Sequence, residues 1–264
     1  MHRFDLGALD RLAYGDSPLH RLDPRTKVLV TAAFVVTVVS FPKYEIAGLI
    51  PCFLVPVLAL LLGGIPAAPI LKRILGASVF VICVGALNPL LDTEVLHRFG
   101  SVSISAGWVS FGSILLKYVL TMSVLLLLVA TTSFPGIARA LGRVGVPAVF
   151  VNQLVFLYRF LFVLLAEAQR MVLARDLRAF DGRGRGLRVT AQLLGTLCMR
   201  TVERAQRIYQ AMCSRGFSGR LPSVGSARLR MADWACLSLM ALLLILLRNY
   251  DLVGAVGQHL VRIF

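Results

Sequence analysis

Apolar runs long enough to enter a membrane recur through this 264-residue chain, and they limit its fold more than any other feature. They are Val28–Phe41, Ile46–Leu62, Ile74–Leu91, Trp108–Val129 and Trp234–Leu247. A backbone in hydrocarbon must satisfy its own hydrogen bonds, which a helix does. Composition agrees: 58% of residues are hydrophobic and 16% are charged, where soluble domains hold about 45–50% and about 25%. The expected class is an all-α integral membrane protein with about five transmembrane segments.

The runs have readable ends. Asp23-Pro24 is a helix start, with Asp as N-cap and Pro at the first helical position. Pro42 stops the first run, which spans only about 21 Å at 1.5 Å per residue. Thr26 and Lys27 must help it cross, with Lys27 reaching out to the interface. Pro51 and Pro56 predict a kinked helix in the second run. The basic pair Lys72-Arg73 precedes the third. Lys117 interrupts the fourth, and it reads as a helix–helix contact, as does Asn88. Beyond Leu247 an amphipathic tail runs to Phe264.

Between the fourth and last runs the chain changes character. Ser133-Phe134-Pro135 starts a short helix carrying Arg139 and Arg143, and Gly145-Val146-Pro147 breaks it. Ala148–Ala166 is apolar but contains Asn152, Gln153 and Arg159, and its pattern continues to Phe180 with rising polarity. Asp181–Gly186 is a loop. Val189–Ser214 is an amphipathic helix in which Leu194, Leu197, Cys198, Thr201, Ala205, Ile208 and Met212 share a face. Arg200, Arg204 and Arg207 lie on another, with Glu203 and Arg207 spaced for a weak i,i+4 pair. The region Arg159–Asp233 holds 14 Arg, no Lys and five acids.

Basic residues favour the cytoplasmic side of a membrane. With the N-terminus inside, Lys72 and Arg73 are inside, Asp92–Gly107 is outside, and Arg139 and Arg143 return inside. A simple crossing at Ala148–Ala166 would place the Arg block outside. Ala148–Ser214 is therefore expected to make no net crossing: a pair of long helices dips into the bilayer and emerges in the cytoplasm. The organisation is a cytoplasmic arm 1–25, membrane helices 26–134, an Arg-rich region 135–233, and a final membrane helix and tail 234–264.

Several chemistries find no support. The formal net charge of +15 suits anionic lipid heads or an acidic partner surface better than nucleic acid, because the apolar runs leave no room for a soluble binding domain. Cys52, Cys83, Cys198, Cys213 and Cys236 form no CxxC pair, and the four His are scattered, so neither a disulfide framework nor a metal site is expected. No P-loop is present. Gly182, Gly184 and Gly186 alternate with Arg and suit a loop. The membrane runs hold no close Asp/Glu/His cluster. Residues 1–25 have no apolar core and do not read as a signal peptide. No cofactor is expected.

Two short motifs stand out in the Arg block: Ala174-Arg175-Asp176 and Ser214-Arg215-Gly216, 40 residues apart. Gly216 follows an amphipathic helix and reads as its left-handed end, so Arg215 projects from a fixed point. Arg suits fork-like pairing with a carboxylate. In order and spacing these motifs, with Phe217, resemble the two Ala-Arg-Gly-like motifs of T subunits of energy-coupling-factor (ECF) transporters of the CbiQ type. Asp16–Lys27, with its Asp23-Pro24-Arg25-Thr26-Lys27, is similar to the family's start. Tyr158-Arg159-Phe160 resembles a third recurring patch. The likeness runs from Asp16 to Leu247. Asp176 and Ser214 depart from it, and Asp176 sets a negative charge beside Arg175.

The resemblance implies a non-catalytic scaffold with two long cytoplasmic coupling helices. Ala174, Arg175 and Asp176 would couple to one cytoplasmic ABC-type ATPase subunit, and Ser214, Arg215 and Gly216 to a second. A membrane S subunit would bind the metal ion, cobalt or nickel, with a small accessory membrane subunit and membrane lipids as further partners. The location implied is the bacterial inner membrane. On the residues alone, two alternatives stay open: a membrane enzyme acting on lipid phosphates, and a stand-alone permease.

Overall fold

A computed structural model of the chain describes residues 17–42, 47–91, 95–99, 102–179, 186–217 and 230–249, with Ala13, Gly15 and Gly219. Eight helices dominate it: α1 (Pro24–Val39), α2 (Leu54–Gly63), α3 (Ala67–Gly85), α4 (Ala106–Thr131), α5 (Phe134–Val144), α6 (Ala148–Arg178), α7 (Leu187–Cys213) and α8 (Met231–Asn249). Among the described residues four stretches are long and apolar enough to cross a membrane: Ala67–Gly85, Gly107–Thr131, Ala148–Arg178 and Met231–Arg248, with Pro51–Gly63 a shorter apolar helix. This is a helical membrane protein. The chain divides into two compact units, residues 1–140 with 227–264, and residues 141–226. The amphipathic tail and the loop Asp181–Arg185 lie outside the described residues.

In the first unit α4 is the central helix, packed against α1, α2 and α3, while α8 packs on α1. Phe34 and Val38 of α1, Leu120 and Val124 of α4, and Leu244 and Leu247 of α8 form one buried cluster. A second joins Ile70 and Ile74 of α3 to Leu126, Leu127 and Ala130 of α4. The α3–α4 approach is close. A Cβ on Gly85 would lie 2.9 Å from Phe111 Cδ2, so a larger residue there would force the ring aside. Several polar groups on α4 find carbonyls, although buried Ser113 finds no partner among the described residues. Tyr118 Oη donates to Ile74 O at 2.8 Å, and Lys117 Nζ to Phe41 O at 2.6 Å. Lys117 thus ties α4 to the bend after α1, not to a second helix as its sequence position predicts.

Asp23 caps α1 as the Asp-Pro pair predicts: its side chain accepts from Arg25 N at 2.9 Å, and Pro24 opens the helix. Three local expectations need correction. Lys27 does not reach for the interface. It is buried and donates from Nζ to Thr131 O at 2.9 Å and His20 O at 3.3 Å. Thr131 ends α4, so the ammonium satisfies one of the free carbonyls at a helix C-terminus, where a cation is favoured. The second run is not one kinked helix but two 3-10 turns, Ala47–Leu49 and Pro51–Phe53, leading into α2. Pro56 has no N–H to offer the Cys52 carbonyl, so the α-helix starts only where that proline falls in its first turn. Lys72-Arg73 is no boundary either. The third helix begins five residues earlier at Ala67, after extended Pro66.

The loop expected at Asp92–Gly107 carries a short antiparallel hairpin, β1 (Val95–Phe99) and β2 (Val102–Ser105). Phe99 pairs with Val102, so two residues connect the strands. Gly100-Ser101 is a Gly-X pair of the kind that suits a two-residue hairpin connection.

Candidate functional site

The second unit is built from the end of α5 and the pair α6 and α7. Its sequence explains its openness. Leu141–Val144 closes on Gly145, whose φ is 124°, and Val146 N donates to Leu141 O at 3.1 Å. Pro147 then opens α6, which runs unbroken for 31 residues. Helix α7 follows with 27 residues. Neither contains a single buried residue among those described. Two helices of this length without one fully buried residue offer much of their surface to something else.

The pair is antiparallel. Phe156 near the start of α6 lines one groove with Met212 near the end of α7, and Ala179 after α6 lines another with Val189 near the start of α7. Between these ends the helices touch along a short stretch, where Arg200 Nη1 meets Glu167 Oε1 at 2.9 Å. On α7 Leu197, Thr201, Ile208 and Met212 turn inward as their spacing predicts. Leu194, Cys198 and Ala205 are exposed, and Leu193 is the half-buried residue at the other turn. Glu203 and Arg207 form the loose pair expected, at 4.0 Å.

Both motifs sit at helix ends, and the two ends differ. After α7, Gly216 adopts φ 79°, the left-handed conformation its sequence position predicts. Gly216 N donates to Cys213 O at 2.9 Å and Phe217 N to Met212 O at 3.1 Å. That paired closure around a left-handed glycine is the Schellman arrangement. Phe217 and Met212 then line the same apolar groove, the contact that accompanies such an end. Ser214 Oγ donates back to Gln210 O at 3.0 Å. Arg215 is exposed, and among the described residues its guanidinium has no bonding partner.

At the other motif the chain stays helical. Ala174, Arg175 and Asp176 lie within α6, which continues to Arg178, so Asp176 needs no left-handed conformation. Its carboxylate holds the neighbouring arginine: Arg175 donates from Nε at 3.2 Å and from Nη2 at 3.0 Å to the same Asp176 Oδ1. Arg175 is half-buried where Arg215 is exposed. The motifs therefore fall at opposite ends of one antiparallel helix pair, one arginine free and one tethered.

Some residues escaped the sequence reading. Asn152 Nδ2 donates to Gly219 O at 3.2 Å, tying the segment after Arg215 back to α6. Its signal was an amide inside an apolar run. A hydrogen bond to Cys213 lifts the Tyr209 phenol above its ordinary pKa. In the first unit Asp233 is 2% exposed, and its carboxylate accepts from Asp23 N at 2.9 Å and from Arg230 N at 2.8 Å. It fixes the starts of α1 and α8 together. Among the described residues no group of three His, Cys, Asp or Glu is placed to hold a metal ion.

Residues 15–224 match the CbiQ family, described as cobalt transport protein. The chain belongs to the CbiQ family. This CbiQ-family chain is 29% identical to the energy-coupling factor transporter transmembrane protein EcfT of Thermanaerovibrio acidaminovorans, over 86% of its length and 89% of the relative's. It is 27% identical to EcfT of Streptococcus thermophilus, over 90% and 94%. Over a shorter stretch, 36% of this chain and 39% of the relative, it is 34% identical to the cobalt transport protein CbiQ of Rhodobacter capsulatus. It is a T-subunit chain of the ECF type, a multi-pass transmembrane component of a transporter.

Proposed function

We propose that this chain is the coupling subunit of an ATP-driven importer of cobalt, with nickel the second candidate ion. Two cytoplasmic ATPase subunits hydrolyse ATP, and this chain carries their movement to a metal-binding membrane subunit, with a small accessory membrane subunit as a further partner. The chain itself catalyses nothing. The Arg-rich pair α6 and α7 lies at the cytoplasmic face of the bacterial inner membrane, and the apolar first half of α6 enters the bilayer without a net crossing.

One observation carries this reading. Arg175 and Arg215 stand at opposite ends of a helix pair that buries none of its residues. Along α6 from Phe156, beside the Met212 end, to Arg175 is 19 residues, or about 28 Å at 1.5 Å per residue. Two arginines that far apart cannot serve one small anion. They suit two separate acidic grooves, as a pair of identical ATPase subunits presents. The ion choice rests on the family description and on the Rhodobacter capsulatus relative's name.

The test is metal accumulation in cells expressing the chain with its partner subunits, membrane levels of each being checked. Arg215→Ala and the Arg175→Ala/Arg215→Ala double variant should lose uptake while the purified chain keeps its helicity. Normal uptake in the double variant at normal expression would remove the coupling role of both motifs.

A further inference from the structure

The two motifs can be laid over each other residue by residue, and the side chain two places after each arginine then behaves differently. After Arg215 it is Phe217, and after Arg175 it is Leu177. Gly216 turns the chain left-handed, so Phe217 N reaches back to Met212 O. The Phe217 ring is half-buried and lines the apolar groove of about 520 Å³ with Met212 and Phe156. Asp176 leaves α6 helical, so no turn folds Leu177 back. Leu177 is 73% exposed, and Leu173, one turn before it, is 58% exposed. The arginines show the reverse. Arg215 projects, while Arg175 is half-buried and bonded to Asp176. Charged and apolar side chains have exchanged places between the two ends.

We propose that the first motif docks on its ATPase subunit chiefly through Leu173 and Leu177, whereas the second docks through Arg215. This rests on the coupling role proposed above and assigns each end its own chemistry. Arg170, Ala174 and Arg178 recur at every fourth position beside the leucines, and all three are exposed. Ala174 is short enough to let a partner surface approach between the two guanidinium groups. The surface that fits this face is an apolar socket rimmed by carboxylates, the usual layout of an interface with a dry centre and a polar rim. Identical subunits present such a surface twice: one helix end fills the socket, and the other pairs with the rim. A membrane surface fits less well, because it takes an apolar face continued along the helix. Here the turn before Leu173 carries Gln169 and Arg170, both exposed. The leucine patch therefore closes after about 6 Å of helix. The two contacts should also answer salt differently. Exposed charge pairs are screened by it, and buried leucines are not.

The test uses the full transporter, purified in detergent without nucleotide, and measures the ATPase retained per chain. Salt is raised from about 0.15 M to about 1 M, where the Debye length falls from about 8 Å to about 3 Å. Leu173→Gln/Leu177→Gln should weaken retention about tenfold or more at low salt. What remains is held by Arg215 and should be lost at high salt. Arg215→Ala should leave ATPase that resists high salt, because the leucines hold it. Arg170→Gln/Arg178→Gln should cost less than the leucine pair. Helicity and elution volume report folding, and Leu173→Ala/Leu177→Ala decides the matter if the Gln variant misfolds. Undiminished retention in the leucine variants, with Arg215→Ala impaired, overturns the proposal and leaves the coupling role standing. Equal loss at high salt from the leucine variant and Arg215→Ala also overturns it, since charge would then hold both ends. If the leucine variant keeps its ATPase but falls in membrane level, the leucines serve the bilayer surface and the proposal fails. If neither the leucine variants nor Arg215→Ala lose ATPase or uptake, the coupling role itself fails.

Discussion

The two units treat charge in opposite ways. In residues 1–140 with 227–264 three charged side chains are drawn inward and bonded, although the buried Thr26, Ser113 and Thr132 hydroxyls find no partner among the described residues: Asp233 bridges the starts of two helices, Lys27 closes the end of a third, and Lys117 holds the Phe41 carbonyl. In residues 141–226 the helices bury no residue of those described, and Arg215 projects outward with no described partner. A buried polar group earns its place only when its hydrogen bonds are made, so the first unit's charges hold the fold together. An exposed arginine adds little to stability and is free to meet another molecule. Removing charge should therefore unfold one unit and disconnect the other.

The largest effect tests the first half of that contrast. Asp233→Ala strips the acceptor from two backbone N–H groups in a site 2% exposed. Hydrogen bonds to a charged group contribute about 1.5–3 kcal/mol each. The loss should exceed about 3 kcal/mol, visible as a lower thermal midpoint in detergent and a lower membrane level. Asp233→Asn should fall between, since it keeps one acceptor oxygen. An unchanged midpoint for Asp233→Ala would break the comparison at its stronger side.

Next in size is the coupling pair. Arg215→Ala should cost about 1.5–3 kcal/mol of contact with a partner carboxylate, with no change in thermal midpoint. Arg175→Ala should do less, because Asp176 already occupies that guanidinium. Arg207→Ala, on an exposed and loosely paired side chain, should change neither uptake nor stability measurably. Arg200 is a poor control. It lies on the general cationic face by spacing, but it pins α7 to α6 through Glu167, so Arg200→Ala should loosen the pair itself. If Arg200→Ala and Arg207→Ala behave alike in ATPase co-purification, that pin has no consequence.

A smaller effect belongs to Gly216. Its φ of 79° is one that side chains with a Cβ adopt at a cost of about 1 kcal/mol, although nothing lies within 4 Å of where that Cβ would be. Gly216→Ala should redirect Arg215 and lower uptake about fivefold or less, leaving helicity intact. Equal uptake would mean that the partner tolerates Arg215 from more than one direction.

How far these features were legible depends on their range. The N-cap Asp23, the break at Gly145 and the left-handed Gly216 are set within four or five residues, and the chain displays them. The start of α3 was hidden because Lys72-Arg73 reads as a boundary, whereas the pair falls within two turns of the helix start at Ala67, where long basic side chains can reach back towards water. Lys27 was misread because its carbonyl partner lies 104 residues away on α4. For the site, the motifs were visible as residues, but their placement at opposite ends follows from the antiparallel pairing of α6 with α7. No local pattern encodes that. Asp176 was expected near a helix end in a glycine's place, yet the helix runs past it to Arg178.

That continuation makes the smallest effect the most pointed. Asp176→Gly has two opposing consequences. Glycine inside a helix costs a few tenths to about 1 kcal/mol of helix stability, and here it falls in the last turn, where fraying hides part of the cost. Against this, the substitution removes the carboxylate oxygen that receives both Arg175 donors at 3.0 and 3.2 Å. The pair is partly exposed, with side chains 20% and 28% accessible, so the tether is worth no more than about 1 kcal/mol. Freed of it, Arg175 becomes more available, though still half-buried where Arg215 is exposed, and its removal should then matter more. The decisive measurement is a double-mutant cycle on metal uptake: Arg175→Ala made in the native chain and again in Asp176→Gly. Asp176→Gly alone should leave uptake unchanged or slightly raised, and Arg175→Ala should cost more in its background. If Arg175→Ala costs the same in both backgrounds, the Asp176 tether does not restrain the first motif. The difference between the two helix ends then lies in exposure alone.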